Sequence, residues 1–318
     1  MQSRRPIIGS SVDERLVRAR QAAQGRGGAA SRPRNTELRR RYVWATDGGE
    51  HPAPAGWQPP AARLAARAGP YGTRIRLHLL LLWIAGAREG SDYHPLFATD
   101  LSYRKLRELL ALPDSDSGQA SLKGAIQELC RLGYITDAPS TLRTGEKARR
   151  LTLMWDVPEP PATTGAHVDP SPYVHPLDCQ PPYKAYAKIP PAIWTNGWAT
   201  WLPVNALLLL LLLFERNADN WPFVLHQRNA DARQFLATPQ DRTQAQTILH
   251  GAGLMAMTEP IRSQKLAREM RLVPAGLNEP APTGRLKTTR SGRRLGAEDL
   301  KHELARMSPD AAARLGLA

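Results

Sequence analysis

The 318-residue sequence predicts a mainly α fold with small β-hairpins, an α+β class, because one unit occurs twice. Three observations carry this. The first copy reads LHLLLLWIAG, YRKLRELLALP, QASLKGAIQELCRLGYIT and KARRLTLMW, and the second reads NALLLLLLLFERN, ADARQFLATP, RTQAQTILHGAGLMAMT and AREMRLVP. Leu110-Ala111-Leu112-Pro113 aligns with Leu236-Ala237-Thr238-Pro239, and Leu129, Gly133 and Ile135 align with Leu249, Gly253 and Met255. Between the copies, residues 156–182 hold eight prolines, a composition suited to a semi-rigid spacer and not to a core.

The elements follow in order. Residues 1–41 read as a basic disordered arm, in which Ser11-Val-Asp-Glu14 has capping-box spacing for a short helix that Gly25 to Gly28 breaks. Residues 42–70 form an Ala/Pro/Gly-rich lead-in with a helix from Ala61 to Arg67. Residues 71–155 are the first unit. Its helices are Arg74 to Gly86, apolar nearly all round and therefore buried, then Tyr103 to Leu112 capped by Ser102, and Gln119 to Leu132 stopped by Gly133. Tyr134 to Thr136 and Arg150 to Trp155 alternate like strands. Residues 183–274 are the second unit. An alternating strand ends at Ile189, and Trp194, Trp198 and Trp201 pack against the Leu-rich helix Asn205 to Arg216. Helices from Asn229 to Ala237 and Gln240 to Gly251 come next, and then a hairpin of Leu254 to Thr258 with Arg268 to Val273. Residues 275–318 form a basic tail with a helix from Ala297 to Met307 and a last turn begun by Ser308-Pro309. Three helices followed by a hairpin are the wiring of a winged helix, so the prediction is two tandem winged-helix domains joined by a Pro-rich linker, with basic flexible arms at both ends.

Net charge is +14, which favours a polyanionic partner. Met1 to Arg41 carry 11 basic and 3 acidic residues and Ala275 to Ala318 carry 8 and 5, leaving 24 against 21 in between, so the excess sits in the ends. Two cysteines, Cys130 and Cys179, have neither disulfide nor metal spacing. Cys130 reads as a small packed residue and not a reactive thiol. No apolar h-region follows Arg4-Arg5, and the run Ala206 to Phe214 is shorter than the roughly 20 residues that cross a bilayer. These features place the chain in a reducing cytoplasm with no membrane partner.

The third helix of a winged helix enters the major groove with one apolar face on its own domain and polar side chains opposite. In the first unit Lys123, Gln127 and Arg131 recur every four residues, opposite Leu122, Ile126 and Leu129. In the second, Thr243, Gln246, Thr247 and His250 are the outward set, with Gln240 and Arg242 near the N-terminus, opposite Ala245, Ile248, Leu249 and Ala252. Gln suits adenine, and Arg or Lys suits guanine. The acid-free, Gln/Thr-rich outward face of the second unit's helix ranks it above the first, which has Glu128 nearby. Phosphates would meet the wings, Arg143, Lys147 and Arg149 in one unit and Arg262, Lys265 and Arg268 in the other, and the arms at Arg39, Arg40, Arg41, Arg293 and Arg294. No phosphate loop, zinc-protease helix, paired-Cys metal site or nucleophile elbow occurs, so no enzyme, cofactor, metal or small-molecule ligand is expected.

On these units, and on the stretch YAKIPPAIWTNGWATWLPVNALLLLLLLFE, the chain resembles the tandem winged-helix initiators of plasmid replication and the helix-turn-helix proteins of actinobacterial plasmids and mobile elements. The resemblance covers residues 70–274. It implies a protein that binds repeated origin sites in double-stranded DNA, associates with the nucleoid or plasmid, and recruits host replication proteins. The first unit would add contacts or form a homodimer. Two other readings stay open: a regulator binding a palindromic operator as a dimer, and a protein-interaction scaffold or RNA binder.

Overall fold

A computed structural model describes residues 12–26, 35–43, 58–65, 72–84, 98–142, 144–145, 147–154, 173–174, 186–217, 223–224, 239–257, 269–282, 289–290, 293–294 and 297–317. It is an α+β protein with small antiparallel sheets.

The first repeat contains α4 (Thr73–Ile84), β2 (Ala98–Leu101), α5 (Tyr103–Leu109), α6 (Asp116–Arg131), β3 (Ile135–Thr141) and β4 (Lys147–Leu153). The second contains α9 (Val204–Asn217), β6 (Phe223–Val224), α10 (Pro239–Gly251), β7 (Met255–Met257) and β8 (Glu269–Leu272). Both sheets have the same order: β2-β4-β3 and β6-β8-β7. The sequence reading missed the first strand of each; β2 lies where a loop was expected. The helix Asn229 to Ala237 falls outside the described residues.

The repeat extends to single hydrogen bonds. Gly133 and Gly253 sit at φ +76° and +73°, the left-handed region where a side chain is strained. Each ends its helix with the same pair of bonds: Gly133 N–H to Cys130 O and Tyr134 N–H to Leu129 O in one unit, Gly253 N–H to His250 O and Leu254 N–H to Leu249 O in the other. The strand that closes each hairpin then returns to the same place, Met154 N–H to Tyr134 O and Val273 N–H to Leu254 O, both at 2.9 Å.

The two units share one hydrophobic core and are not beads on a linker. The Leu-rich helices α4 and α9 are buried on nearly every side, as their unbroken apolar composition requires. Trp83 of α4 stacks on Trp194, with centroids 5.9 Å apart. Arg76 of α4 donates to Thr200 O at 2.8 Å and Leu202 O at 2.6 Å, satisfying two carbonyls in the turn just before α9. The tryptophan cluster is core, as expected: Trp194, Trp198 and Trp201 are all buried.

The N-terminal segment is not an arm over its described part. Helix α1 (Val12–Arg26) buries Leu16, Ala19, Ala22 and Ala23. It packs on α5, on α7 (Ala192–Thr195) and on α8 (Trp198–Trp201). Strand β1 (Thr36–Arg39) pairs antiparallel with β5 (Tyr186–Ile189), joining residues about 150 positions apart. Short helices α2 (Arg40–Val43) and α3 (Pro60–Ala65) lie against α9. From the Pro-rich segment Tyr173 is buried under Arg39, whose guanidinium carbon lies 5.2 Å from the ring centroid.

The C-terminal segment is also part of the body. A 3-10 turn, Pro274–Asn278, docks where Asn196 Nδ2 donates to Leu277 O and Trp198 Nε1 to Glu279 O. Strand β9 (Thr289–Arg290) pairs antiparallel with β10 (Arg293–Arg294). Helices α11 (Ala297–Met307) and α12 (Pro309–Arg314) begin where the sequence placed them, with the Ser308 hydroxyl accepting from Ala311 N–H. Among the described residues no helix is long and apolar enough to cross a membrane.

Candidate nucleic-acid interface

Helix α6 is built to show one face. Leu122, Ala125, Ile126 and Leu129 are buried, and Ala120, Lys123, Gly124, Gln127 and Arg131 are exposed along the opposite side. The 3.6-residue period alone separates these sets. Gly118 permits the tight approach to the preceding turn, since a Cβ there would fall 2.0 Å from Pro113 O. Lys123 and Gln127 project from the centre of the open face. Arg131 is held by Glu128, its Nε and Nη2 donating at 2.9 and 2.8 Å. The sequence reading named Lys123, Gln127 and Arg131. It missed Ala120 and Gly124, whose small side chains let a partner approach the helix backbone between the polar ones; beside Gly124 there is open space.

Helix α10 is more enclosed than its sequence suggests. Ala245, Ile248 and Leu249 face α9 as expected. A second flank is covered by α11 and α12, with Leu304 and Leu315 against Gly251 and Arg314 Nε donating to Gly251 O. Gln244 and Thr247 are buried on this flank, and Thr247 turns its hydroxyl back to Thr243 O at 2.9 Å. Thr247 is therefore not an outward residue. The reason is tertiary: the C-terminal helices lie where a two-faced helix would meet solvent. Gln240 and Thr243 remain exposed, and Arg242, Gln246 and His250 are partly so. Gln246 also donates to Met270 Sδ at 3.4 Å and His250 Nδ1 contacts Met255 O, which turns this remnant toward the hairpin.

In the first hairpin, Lys147 is exposed at the start of β4. Arg149 is not available as drawn from sequence: Nε and Nη2 both donate to Asp137 at 2.6 Å. That carboxylate holds the guanidinium even more firmly protonated than usual. Arg150 is similarly engaged with Asp100 across the sheet. Arg39 is also misassigned, because it is fully buried and donates to Val174 O. Arg143, Arg262, Lys265 and Arg268 lie outside the described residues, as do the side chains of Arg40, Arg41, Arg293 and Arg294.

Cys130, half-buried on α6, has its thiol pushed up to about 11, by burial first and then by Asp137; a group so rarely ionised is a poor nucleophile. Among the described residues no three metal-type side chains gather. Comparison with protein-family models, curated proteins and solved structures finds no match.

Proposed function

We propose that the chain is a non-enzymatic, sequence-specific duplex-DNA-binding protein of two winged-helix units, with α6 as its principal reading element. The observation that carries this is the open α6 ridge, Lys123 and Gln127 beside Ala120 and Gly124, backed by a fully buried apolar stripe. A helix roughly 10 Å wide with its side chains fits a major groove about 12 Å wide. Small residues bring its backbone close to the base edges. The α10 remnant of Gln240, Arg242, Thr243 and Gln246 makes a second, narrower contact. This reverses the ranking drawn from composition, because α10 has lost one flank to the C-terminal helices.

Two units with the same strand order in one body suit repeated half-sites, and the biological role that fits best is initiation of plasmid or mobile-element replication in a bacterial cytoplasm. The test is selection of bound duplexes from a random pool, followed by titration of variants. Gln127→Ala and Lys123→Ala are expected to weaken the selected duplex by about 1–3 kcal/mol each and to leave random duplex nearly unchanged. Tandem direct repeats in the selected site support the initiator role, whereas a single palindrome supports an operator-binding regulator. Equal affinity for selected and random duplex defeats the reading.

A further inference from the structure

The duplication lets the same helix face be compared in both units. Counting back from the equivalent Gly133 and Gly253, the residues Ala120, Gly124, Gln127 and Arg131 of α6 match Gln240, Gln244, Thr247 and Gly251 of α10. Successive members lie three or four positions apart and so form one strip. On α6 all four are exposed. On α10 Gln240 is exposed, but Gln244, Thr247 and Gly251 are buried. The difference comes from the C-terminal helix pair: Leu304 and Leu315 lie against Gly251, and Arg314 Nε donates to Gly251 O at 3.2 Å. A Cβ on Gly251 would fall 3.0 Å from Leu304 Cδ1 and 3.1 Å from Leu315 Cδ1. Glycine there, where α6 has an arginine, makes room for the pair.

The pair is poorly matched to the strip it covers. Helices α11 and α12 pack on each other and, among the described residues, chiefly on α10. Their buried anchors are Leu300, Leu304 and Ala311, apolar groups beside a strip of glutamine, threonine and glycine. Thr247 bonds back within its own helix, to Thr243 O, and not to the pair. Lifting the pair away exposes a few apolar groups but returns polar ones to water, so it costs less than opening a wholly apolar interface. Residues 297–314 also carry four carboxylates against three cations. A duplex approaching α10 meets this net negative charge while the pair is seated.

We propose that the strip Gln240, Gln244, Thr247 and Gly251 is a second duplex-binding face, closed by α11 and α12 until a duplex displaces them. The inference rests on the duplex-binding reading above. With the pair away, Gln244 and Thr247 stand at the positions of Gly124 and Gln127, beside Thr243 at the position of Lys123. Gln244 offers an amide suited to adenine, and Thr247 a hydroxyl suited to any base. Gly251 lets the helix backbone come close. One body then presents two equivalent helix faces, and the bound site lengthens from one half-site to two.

The test locks the pair in place in the full chain. With Cys130→Ala and Cys179→Ala as background, Gly251→Cys and Leu315→Cys bring two sulfurs together. A Cβ on Gly251 lies 3.5 Å from Leu315 Cγ, the atom whose place the second sulfur takes, which is within reach of a disulfide. Diamide closes the bond and dithiothreitol opens it, so one protein serves as its own control. The reduced form is expected to protect two half-sites of the selected duplex from hydroxyl radicals. The oxidised form is expected to protect one and to bind about tenfold more weakly, the loss of one good base contact. Leu315→Glu, at a partly exposed position, unseats the pair and is expected to bind several-fold more tightly than wild type. Equal affinity and equal footprints in the two redox states, with Gln127→Ala still weakening binding, overturn this inference and leave the α6 reading standing. A reduced form that prefers no duplex overturns both.

Discussion

His78 makes the fold acid-sensitive in a way that can be worked out beforehand. It lies on α4 with no exposed surface. Its ring is stacked on Tyr42 at 5.5 Å and tilted against Tyr134 at 5.1 Å. Nδ1 shares one 2.9 Å hydrogen bond with the Tyr42 hydroxyl, and Nε2 is buried without a hydrogen bond among the described residues. Desolvation lowers its pKa from 6.5 to about 3, so the folded protein keeps the ring neutral while the unfolded chain protonates it. The unfolded state therefore binds the extra proton, and stability falls as pH drops below 6.5, continuing until about 3. At 1.36 kcal/mol per unit the loss is about 2 kcal/mol at pH 5 and about 4 kcal/mol at pH 3. Urea unfolding at pH 7 and pH 5 measures it. In His78→Phe this contribution disappears, so the gap between the two pH values shrinks by about 2 kcal/mol. An unchanged gap in the variant would refute the assignment of a buried neutral imidazole.

Two packing predictions follow the same logic. Leu304 is 2% exposed and lies against Gly251 at the foot of α10; Leu304→Ala is expected to cost about 2–5 kcal/mol and to speed proteolysis of α11, read by urea denaturation and limited digestion. Ala111 ends α5 at φ +53°, in the role that Gly133 and Gly253 play elsewhere. Ala111→Gly relieves left-handed strain of about 1–2 kcal/mol, partly offset by the greater freedom of glycine when unfolded, so Tm should rise by a degree or two.

The features legible in the sequence are the local ones. Ser102 caps α5, Gly133 and Gly253 close α6 and α10, and Ala297–Met307 forms a helix, because caps, left-handed turns and 3.6-residue periodicity are all written within a few neighbouring residues. The lysine–glutamine ridge of α6 was legible for the same reason. Pairings between distant segments were not. Nothing near Thr36 announces that its strand pairs with Tyr186–Ile189, and nothing in Gln244 or Thr247 announces a helix from the far C-terminus lying over them. Charge counting also misled at Arg39 and Arg149. A basic residue in a basic stretch looks solvated, yet one is buried beside Tyr173 and the other is committed to Asp137.

The α6 ridge is tested most directly by where it sits on bound DNA. An iron chelate tethered at Ser117→Cys, in a chain whose Cys130 and Cys179 are replaced by Ala, places a cleaving group at the exposed N-terminal end of α6, beside the Lys123 and Gln127 ridge but clear of it. The account predicts strand cuts confined to a few nucleotides inside the selected site, which lose that confinement as Gln127→Ala together with Lys123→Ala removes the preference for the site. Full duplex binding with no cuts from this position would contradict it.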